Sequence, residues 1–448
     1  MKFFPIIFVS LFMCGTLSSC SSDSNSNNDQ NTVIDPDETE TETETETGSF
    51  TVPVTGEEGS ILWSKTEVEE NLEATPAVDD FNNVYVAGGD DMASYDSSGN
   101  LRWRTTPIEN ATLGESSSPV LSSDNLKVYL AADAGVFAFD AQNGDVLWQK
   151  TVPLDFPTIF ATTPTVSTDG SRIYVGAGDN LHPSDNFYSI DSSTGDIVWT
   201  YVLDRAPLQH ELGADIEGFL GGAIIHPNGS IIIASQHGYL ISLTDNGANY
   251  SEDWVFSVGM EMRQAPSVDS EGYIIQASNR SRVEKIDPST GLSVGGNWPV
   301  ILDTGEIFTS IAISSDGTLY TNTESGQLYA INANGEVQWN LLMKSWSSDP
   351  VIRDDGNIFL VADMTDSGTK GHVVCIRDDG TTATIIWATP IIPQTPLNET
   401  NINLAPDGTI YVTGGEEGVL YALKGNGQGL SASSPWPKSM HNIQNNGQ

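Results

Sequence analysis

The sequence predicts an all-β fold: an eight-bladed β-propeller of four-stranded antiparallel blades, preceded by a signal peptide and a disordered linker. Three observations carry this expectation. Tryptophan recurs at near-regular spacing. Each stretch between tryptophans holds four short strand patterns. Glycine is abundant, 42 residues, while charged residues are only 17%, as suits many strands joined by tight turns. A length of 448 residues would suit three domains at ~150 residues each, but a single all-β unit can be this large.

The chain begins with an address rather than with structure. Lys2 supplies a positive start, Phe3 to Met13 are apolar, and small residues lead to Leu17-Ser18-Ser19-Cys20. The apolar run is too short for a permanent membrane span and has the form of a secretory signal. The last four residues resemble a bacterial lipobox. That resemblance implies cleavage before Cys20, lipidation of Cys20, and anchoring to the outer membrane, with cell-surface and periplasmic faces both open. Residues 1–19 therefore read as a lipoprotein signal peptide. Residues 20–58 read as a tether: they hold 11 acidic residues, no Lys or Arg and a Thr-Glu alternation from Thr39 to Thr47. Such a stretch cannot bury enough apolar surface to fold. Residues 59–448 are left for the propeller.

The repeat fixes the blade count. Tryptophans at 63, 103, 148, 199, 254, 298, 339, 387 and 436 enclose eight intervals of 40 to 55 residues. Within them, first strands begin near Thr75-Pro76, Ser118-Pro119, Thr163-Pro164, Gly222-Ala223, Ala265-Pro266, Ser310-Ile311, Asp349-Pro350 and Asn403-Leu404. Second strands centre on Tyr85, Tyr129, Tyr174, Ile232, Ile274, Tyr320, Phe359 and Tyr411, and third strands follow the same pattern to the next tryptophan. Ile61-Leu62-Trp63 precedes the first full unit, so it is expected to supply the outermost strand of the last blade and join the two ends of the ring. Pro435-Trp436-Pro437 is expected to pack near that closure. Cys375, in Val373-Val374-Cys375-Ile376, reads as a small buried hydrophobe.

Ala138-Phe139-Asp140-Ala141-Gln142-Asn143-Gly144-Asp145-Val146-Leu147-Trp148, and Ser189-Ile190-Asp191 through Thr194-Gly195-Asp196 to Trp199, carry the fullest form of the repeat. They resemble the tryptophan-docking repeat of pyrroloquinoline-quinone propellers. The resemblance spans roughly residues 60–436 and implies that Trp63, Trp103, Trp148, Trp199, Trp254, Trp298, Trp339 and Trp387 stack between blades while glycine makes the hairpin turn. Quinoprotein dehydrogenases of this kind place a vicinal disulfide beside the quinone. This chain has only Cys14, Cys20 and Cys375 and no haem-attachment motif, so no cofactor is expected. It is also similar to non-catalytic lipidated propellers of the BamB type, whose implied role is to present loops to an outer-membrane insertase.

Turn lengths separate two faces. First-to-second turns such as Asp169-Gly170, Asn228-Gly229, Asp316-Gly317 and Asp407-Gly408 are short and alike, and they share a face with the third-to-fourth turns. The remaining connections vary and share the opposite face, where function is expected. There, Glu73, Glu115, Glu217, Arg263, Gln264, Glu306 and Trp346 precede first strands and form the candidate binding face. Loop residues His210, Glu211, Asp215 and Glu217 have metal-ligand chemistry without a fixed spacing, so no metal is assigned. Asp79 to Asn83 reads as a hairpin turn rather than a calcium loop.

Eighteen basic against 60 acidic residues, a net charge of −42, exclude a phosphate backbone as partner. The expected function is non-enzymatic: a monomeric envelope lipoprotein that binds or scaffolds a protein or a glycan. The alternatives are a BamB-like outer-membrane assembly factor and a polysaccharide-active enzyme. The last would need two of Glu73, Glu115, Glu217 and Glu306 about 5–9.5 Å apart.

Overall fold

Each repeat folds into one small antiparallel sheet whose strands pair in chain order. In blade two these are Val120–Leu121, Lys127–Ala132, Gly135–Asp140 and Val146–Lys150. The second and third strands are buried along nearly their whole length because a neighbouring blade covers each face. The outer strand alternates, half facing solvent. This is why the inner strands read as continuous Val, Ile, Leu and Tyr, whereas the outer ones carry charge.

A computed structural model describes residues 50–66, 72, 74–106, 117–132, 135–150, 162–178, 184–205, 218–345, 348–364, 371–391, 400–414 and 418–448. All of them lie in the compact unit Glu44–Gln448. Cys20, the signal segment and most of the tether fall outside the described residues. Eight sheets are present, seven with four strands and one with five. The exception is blade five, whose outer strand is split into Leu292–Ser293 and Val300–Ile301, both paired to Arg282–Asp287. The intervening segment carries Gly295 and Gly296 at φ +73° and +72°.

The ring closes as expected. Ile61–Lys65 pairs antiparallel with Val419–Leu423 and completes blade eight. Ordered contacts begin earlier than the expected boundary at residue 59. Thr51 bridges Trp387, its carbonyl accepts from the Ala388 N–H, and Glu58 pairs with Arg353 at 2.6 Å. Composition placed residues 50–58 in the tether, but their backbone hydrogen bonds tie them to blade seven.

Hydrophobic layers lie between blades rather than in one central core. One layer joins Ala77, Tyr85, Met92 and Trp103 of blade one to Leu121, Val128, Phe137 and Phe139 of blade two. Each such buried side chain contributes about 1.5–3 kcal/mol. The repeat tryptophans are the outer edge of these layers, and each reaches the following blade. Trp103 lies on Gly144 and donates its indole N–H to Ala141 O at 3.0 Å, and Trp148 lies on Gly195 and donates to Ser192 O at 3.1 Å. Trp63, Trp254, Trp298 and Trp387 meet Gly99, Gly291, Gly335 and Gly59 in the same way. Trp199 meets the Tyr250 ring at a tilt, centroids 5.1 Å apart, and Trp339 donates to Asp378. A β-bulge precedes the tryptophan in most outer strands: Ala138 faces Trp148 but Phe139 faces Val146, leaving Leu147 unmatched.

Trp436 departs from the expectation. It is not on an outer strand and does not pack at the closure of blade eight. Its carbonyl accepts from Ile313 N on the inner strand of blade six, at 2.6 Å, and the Pro437 carbonyl accepts from Ile352 N of blade seven, at 2.8 Å. Proline lacks a donor, so this segment offers carbonyls to the inward-facing amides at the axis. The eighth outer tryptophan is Trp63, and the blade count is unchanged.

Candidate functional site

The short turns gather on one face, and their chemistry is spent on themselves. Asp79 Oδ1 accepts from the N–H groups of Phe81 and Asn83, and Asp169 Oδ1 accepts from Ser171 N and the Ser167 hydroxyl. These are turn-forming aspartates, in agreement with the hairpin reading. Hydrogen bonds from Ser167 and Ser171 pull the Asp169 carboxyl down to about 2. A shallow pocket of about 530 Å³ opens on this face between blades five and six, beside Tyr273, Lys285, Asn297 and Asn334. Its Lys285 ammonium is already held 2.8 Å from Asp269 and over the Tyr273 ring.

The opposite face carries the variable connections. Of the seven candidate residues, Glu73, Glu115, Glu217 and Trp346 lie outside the described residues, as do His210, Glu211 and Asp215. Arg263, Gln264 and Glu306 are described, and the first two are brought together. They lie in the connection from Tyr250–Ser257 of blade four to Ser267–Val268 of blade five. Arg263 Nε donates to Glu261 Oε1 at 2.5 Å, and its guanidinium stands over the Phe308 ring, 5.5 Å from the centroid. Gln264 Nε2 donates to Phe308 O. Glu306 sits in that same next connection, where its carbonyl accepts from Glu324 N at 2.6 Å.

Sequence reasoning missed the residue that organises this rim. Glu261 is only 3% exposed, and its carboxylate accepts from Arg263, from Gln236 Nε2 at 3.2 Å and from Asn279 Nδ2 at 3.0 Å. Gln236 belongs to the second-to-third turn of blade four and Asn279 to that of blade five. Backbone bonds continue the seam: Val258 N to Gly238 O, Asn279 N to Glu261 O, Leu302 N to Ser281 O and Met343 N to Gly326 O. His237 adds a contact to Asp185 of blade three at 3.1 Å. The rim over blades four to six is thus one hydrogen-bonded surface. It presents a guanidinium, a third of its side chain exposed, backed by an aromatic ring. Such a group recognises carboxylates and amide carbonyls and stacks on planar groups. No spacing rule marks Glu261, because its role depends on two turns distant in sequence.

Among the described residues no group of three His, Cys, Asp or Glu side chains could hold a metal ion, and no helix is long and apolar enough to cross a membrane. Cys375 lies buried in Gly371–Asp378, where burial pushes its thiol well above the ordinary range. It packs in the apolar layer between blades seven and eight.

Comparison with known proteins places this geometry. A family model described as outer membrane protein assembly factor BamB matches residues 50–297 and 279–433. No curated protein sequence matches the chain. The crystal structure of BamB from Moraxella catarrhalis superposes with a TM-score of 0.60 at 14% identity, over 82% of this chain and 99% of that one. Quinohemoprotein alcohol dehydrogenase from Comamonas testosteroni gives 0.57 at 12% identity, over 81% and 76%. Sqt1 from Saccharomyces cerevisiae gives 0.60 at 12%, over 82% and 99%. At such identities these likenesses speak for the propeller fold alone.

Proposed function

We propose, on the premise that the chain belongs to the family described as outer membrane protein assembly factor BamB, that it is a non-enzymatic scaffold of the cell envelope which holds a protein partner against its face of variable connections. The observation that carries this is the rim over blades four to six. Arg263 is braced there by Glu261 and the Phe308 ring, with its guanidinium still reaching solvent. A braced, partly exposed arginine over an aromatic ring is the composition of an interface anchor. The lipobox at Cys20 and the acidic tether support a station at the outer membrane, with the propeller lifted from the bilayer. The family's description favours a protein partner over a glycan, and an outer-membrane β-barrel assembly step as the setting.

A photo-crosslinking residue at Arg263 or Glu306 in intact envelopes tests this. The expected result is one dominant protein adduct from both positions and none from Asp316 on the turn face. Equal labelling from all three positions, or no adduct at all, removes the proposed interface. The assembly role has its own readout: deleting the gene should lower outer-membrane barrel proteins, and unchanged levels would leave a scaffold of some other envelope complex.

A further inference from the structure

Residues 435–448 run along the inner rim of the ring. Their carbonyls accept from inward-facing amides around almost the whole rim. Trp436 O takes Ile313 N of blade six and Pro437 O takes Ile352 N of blade seven. Ile443 O takes Val78 N of blade one, Gln444 O takes Leu121 N of blade two, Asn446 O takes Val166 N of blade three, and Gly447 O takes Ile225 N of blade four. Blade eight joins through Asn403 Nδ2, which donates to Ile443 O at 2.9 Å. Blades two and six, and blades three and seven, stand opposite each other in an eight-membered ring. The strap meets them in ring order, six and seven, then eight and one, then two, three and four, so it follows the inner rim round the ring.

The side chains in this strap are recognised as a ligand's would be. Asn445 Nδ2 donates to the carbonyls of Thr75, Pro76 and Pro119, and Gln448 Nε2 donates to those of Val166 and Ser167. The buried Lys438 ammonium donates to Ser439 O, Asn442 O and Asn445 Oδ1, folding the strap about itself. Gly222 lacks a side chain where the Met440 thioether packs, since a Cβ there would lie 2.9 Å from its sulfur. Apart from Pro435, Trp436, Pro437, Met440 and Ile443, the strap is polar or glycine. Trp436 and Met440 pack in the apolar layer of blades four to six, and the rest of the attachment is hydrogen bonds, each contributing about 0.5–1.5 kcal/mol net. Met440, His441 and Asn445 also hold φ at +56°, +70° and +57°, a conformation that non-glycine residues leave readily once released.

We propose that the inner rim of the ring is a peptide-binding site whose resident ligand is the chain's own residues 435–448, and that this strap leaves and returns while the eight blades stay folded. The ligand class is an extended, amide-rich peptide read by rim amides and rim carbonyls. Release frees the inner rim and presents six N–H donors to any segment of like chemistry. Ahead of the strap, Gly427 has open space around it and offers a place to cut the chain.

Two measurements test this on the whole chain. Native-state hydrogen exchange of the intact protein should find the amides of Val78, Leu121, Val166 and Ile225 exchanging about 100-fold faster or more than ladder amides in the second and third strands, as a sub-global opening requires. Exchange of both sets only through global unfolding overturns the proposal. In the second, a protease site is placed after Gly427 and the chain is cut. A labelled synthetic peptide of residues 428–448 should then displace the cut segment saturably, with unchanged near-ultraviolet circular dichroism. An Asn445→Ala peptide, lacking the Nδ2 contacts to the rim carbonyls and the Lys438 contact, should bind about tenfold more weakly or worse. Failure of the peptide to exchange, or unfolding of the ring on its departure, makes the strap part of the core and overturns the proposal.

Discussion

Gly144 holds φ at +77°, and a Cβ there would lie 2.5 Å from Cε3 of Trp103. The contact is intolerant on both sides. Gly144→Ala combines a left-handed backbone with displacement of the indole and should cost about 1–3 kcal/mol. Trp103→Ala empties the layer between blades one and two and should cost about 3–5 kcal/mol. Urea denaturation of the two variants measures both; a neutral Gly144→Ala would mean that the indole has room to move. The turn aspartates set the acid limit. The folded Asp169 carboxyl titrates at about 2, against an ordinary 3.8, so its contribution is complete above about pH 4 and is lost as pH falls through about 2. Asp169→Asn should therefore show a smaller fall in melting temperature between pH 4 and pH 2 than the parent. Equal falls would place the acid sensitivity elsewhere. At this scale the tryptophans and glycines were legible, because their spacing is a property of the chain. Glu261 and Arg353 were not. Arg353, 1% exposed, is clasped by Glu58 and Asp355 at 2.6 and 2.7 Å, and Glu58 stands 295 residues away.

Strands were legible where one blade repeats another and obscure where the chain leaves the repeat. Tyr85, Tyr174, Tyr320 and Tyr411 mark second strands in the sequence. The structure adds that each hydroxyl reaches the next blade, at Ala141 O, Asp245, Asp378 and Asn82 O respectively. Tyr174→Phe leaves the ring in place and strips Asp245 of a donor, so a loss of about 1–3 kcal/mol is expected from the unmet carboxylate. Thermal unfolding at neutral pH checks it, and a value near zero would mean that water serves Asp245 equally well. The strap at 435–448 has no counterpart in any repeat. Tryptophan at the expected interval made Trp436 look like a ninth outer mark, whereas its proline neighbours exclude it from a sheet ladder and suit it to supply carbonyls at the axis. The split outer strand of blade five escaped detection for the opposite reason: Trp298 kept its docking contact with Gly335 although the strand around it broke.

A ring of like blades has no natural end, and the position of its seam decides how the whole molecule folds. Blades one to seven each form from contiguous chain. Blade eight cannot form until Ile61–Lys65 meets Val419–Leu423, a closure across more than 350 residues. Loop-closure entropy must be met before that pairing contributes, so closure is expected late in folding. Two tryptophans separate the possibilities. Trp148 joins blades two and three, neighbours in sequence. Trp63 docks on Gly99 of blade one, close in sequence, and its ring also packs on Tyr411 of blade eight, 5.8 Å away across the seam. If the seam closes after the rate-limiting barrier, Trp63→Ala should raise the unfolding rate and leave the folding rate nearly unchanged, while Trp148→Ala should slow folding as well. Stopped-flow fluorescence across a denaturant series reads both limbs. Equal slowing of folding by the two substitutions would mean that the seam is already paired at the barrier. The blades would then assemble around a closed ring rather than close one they had already built.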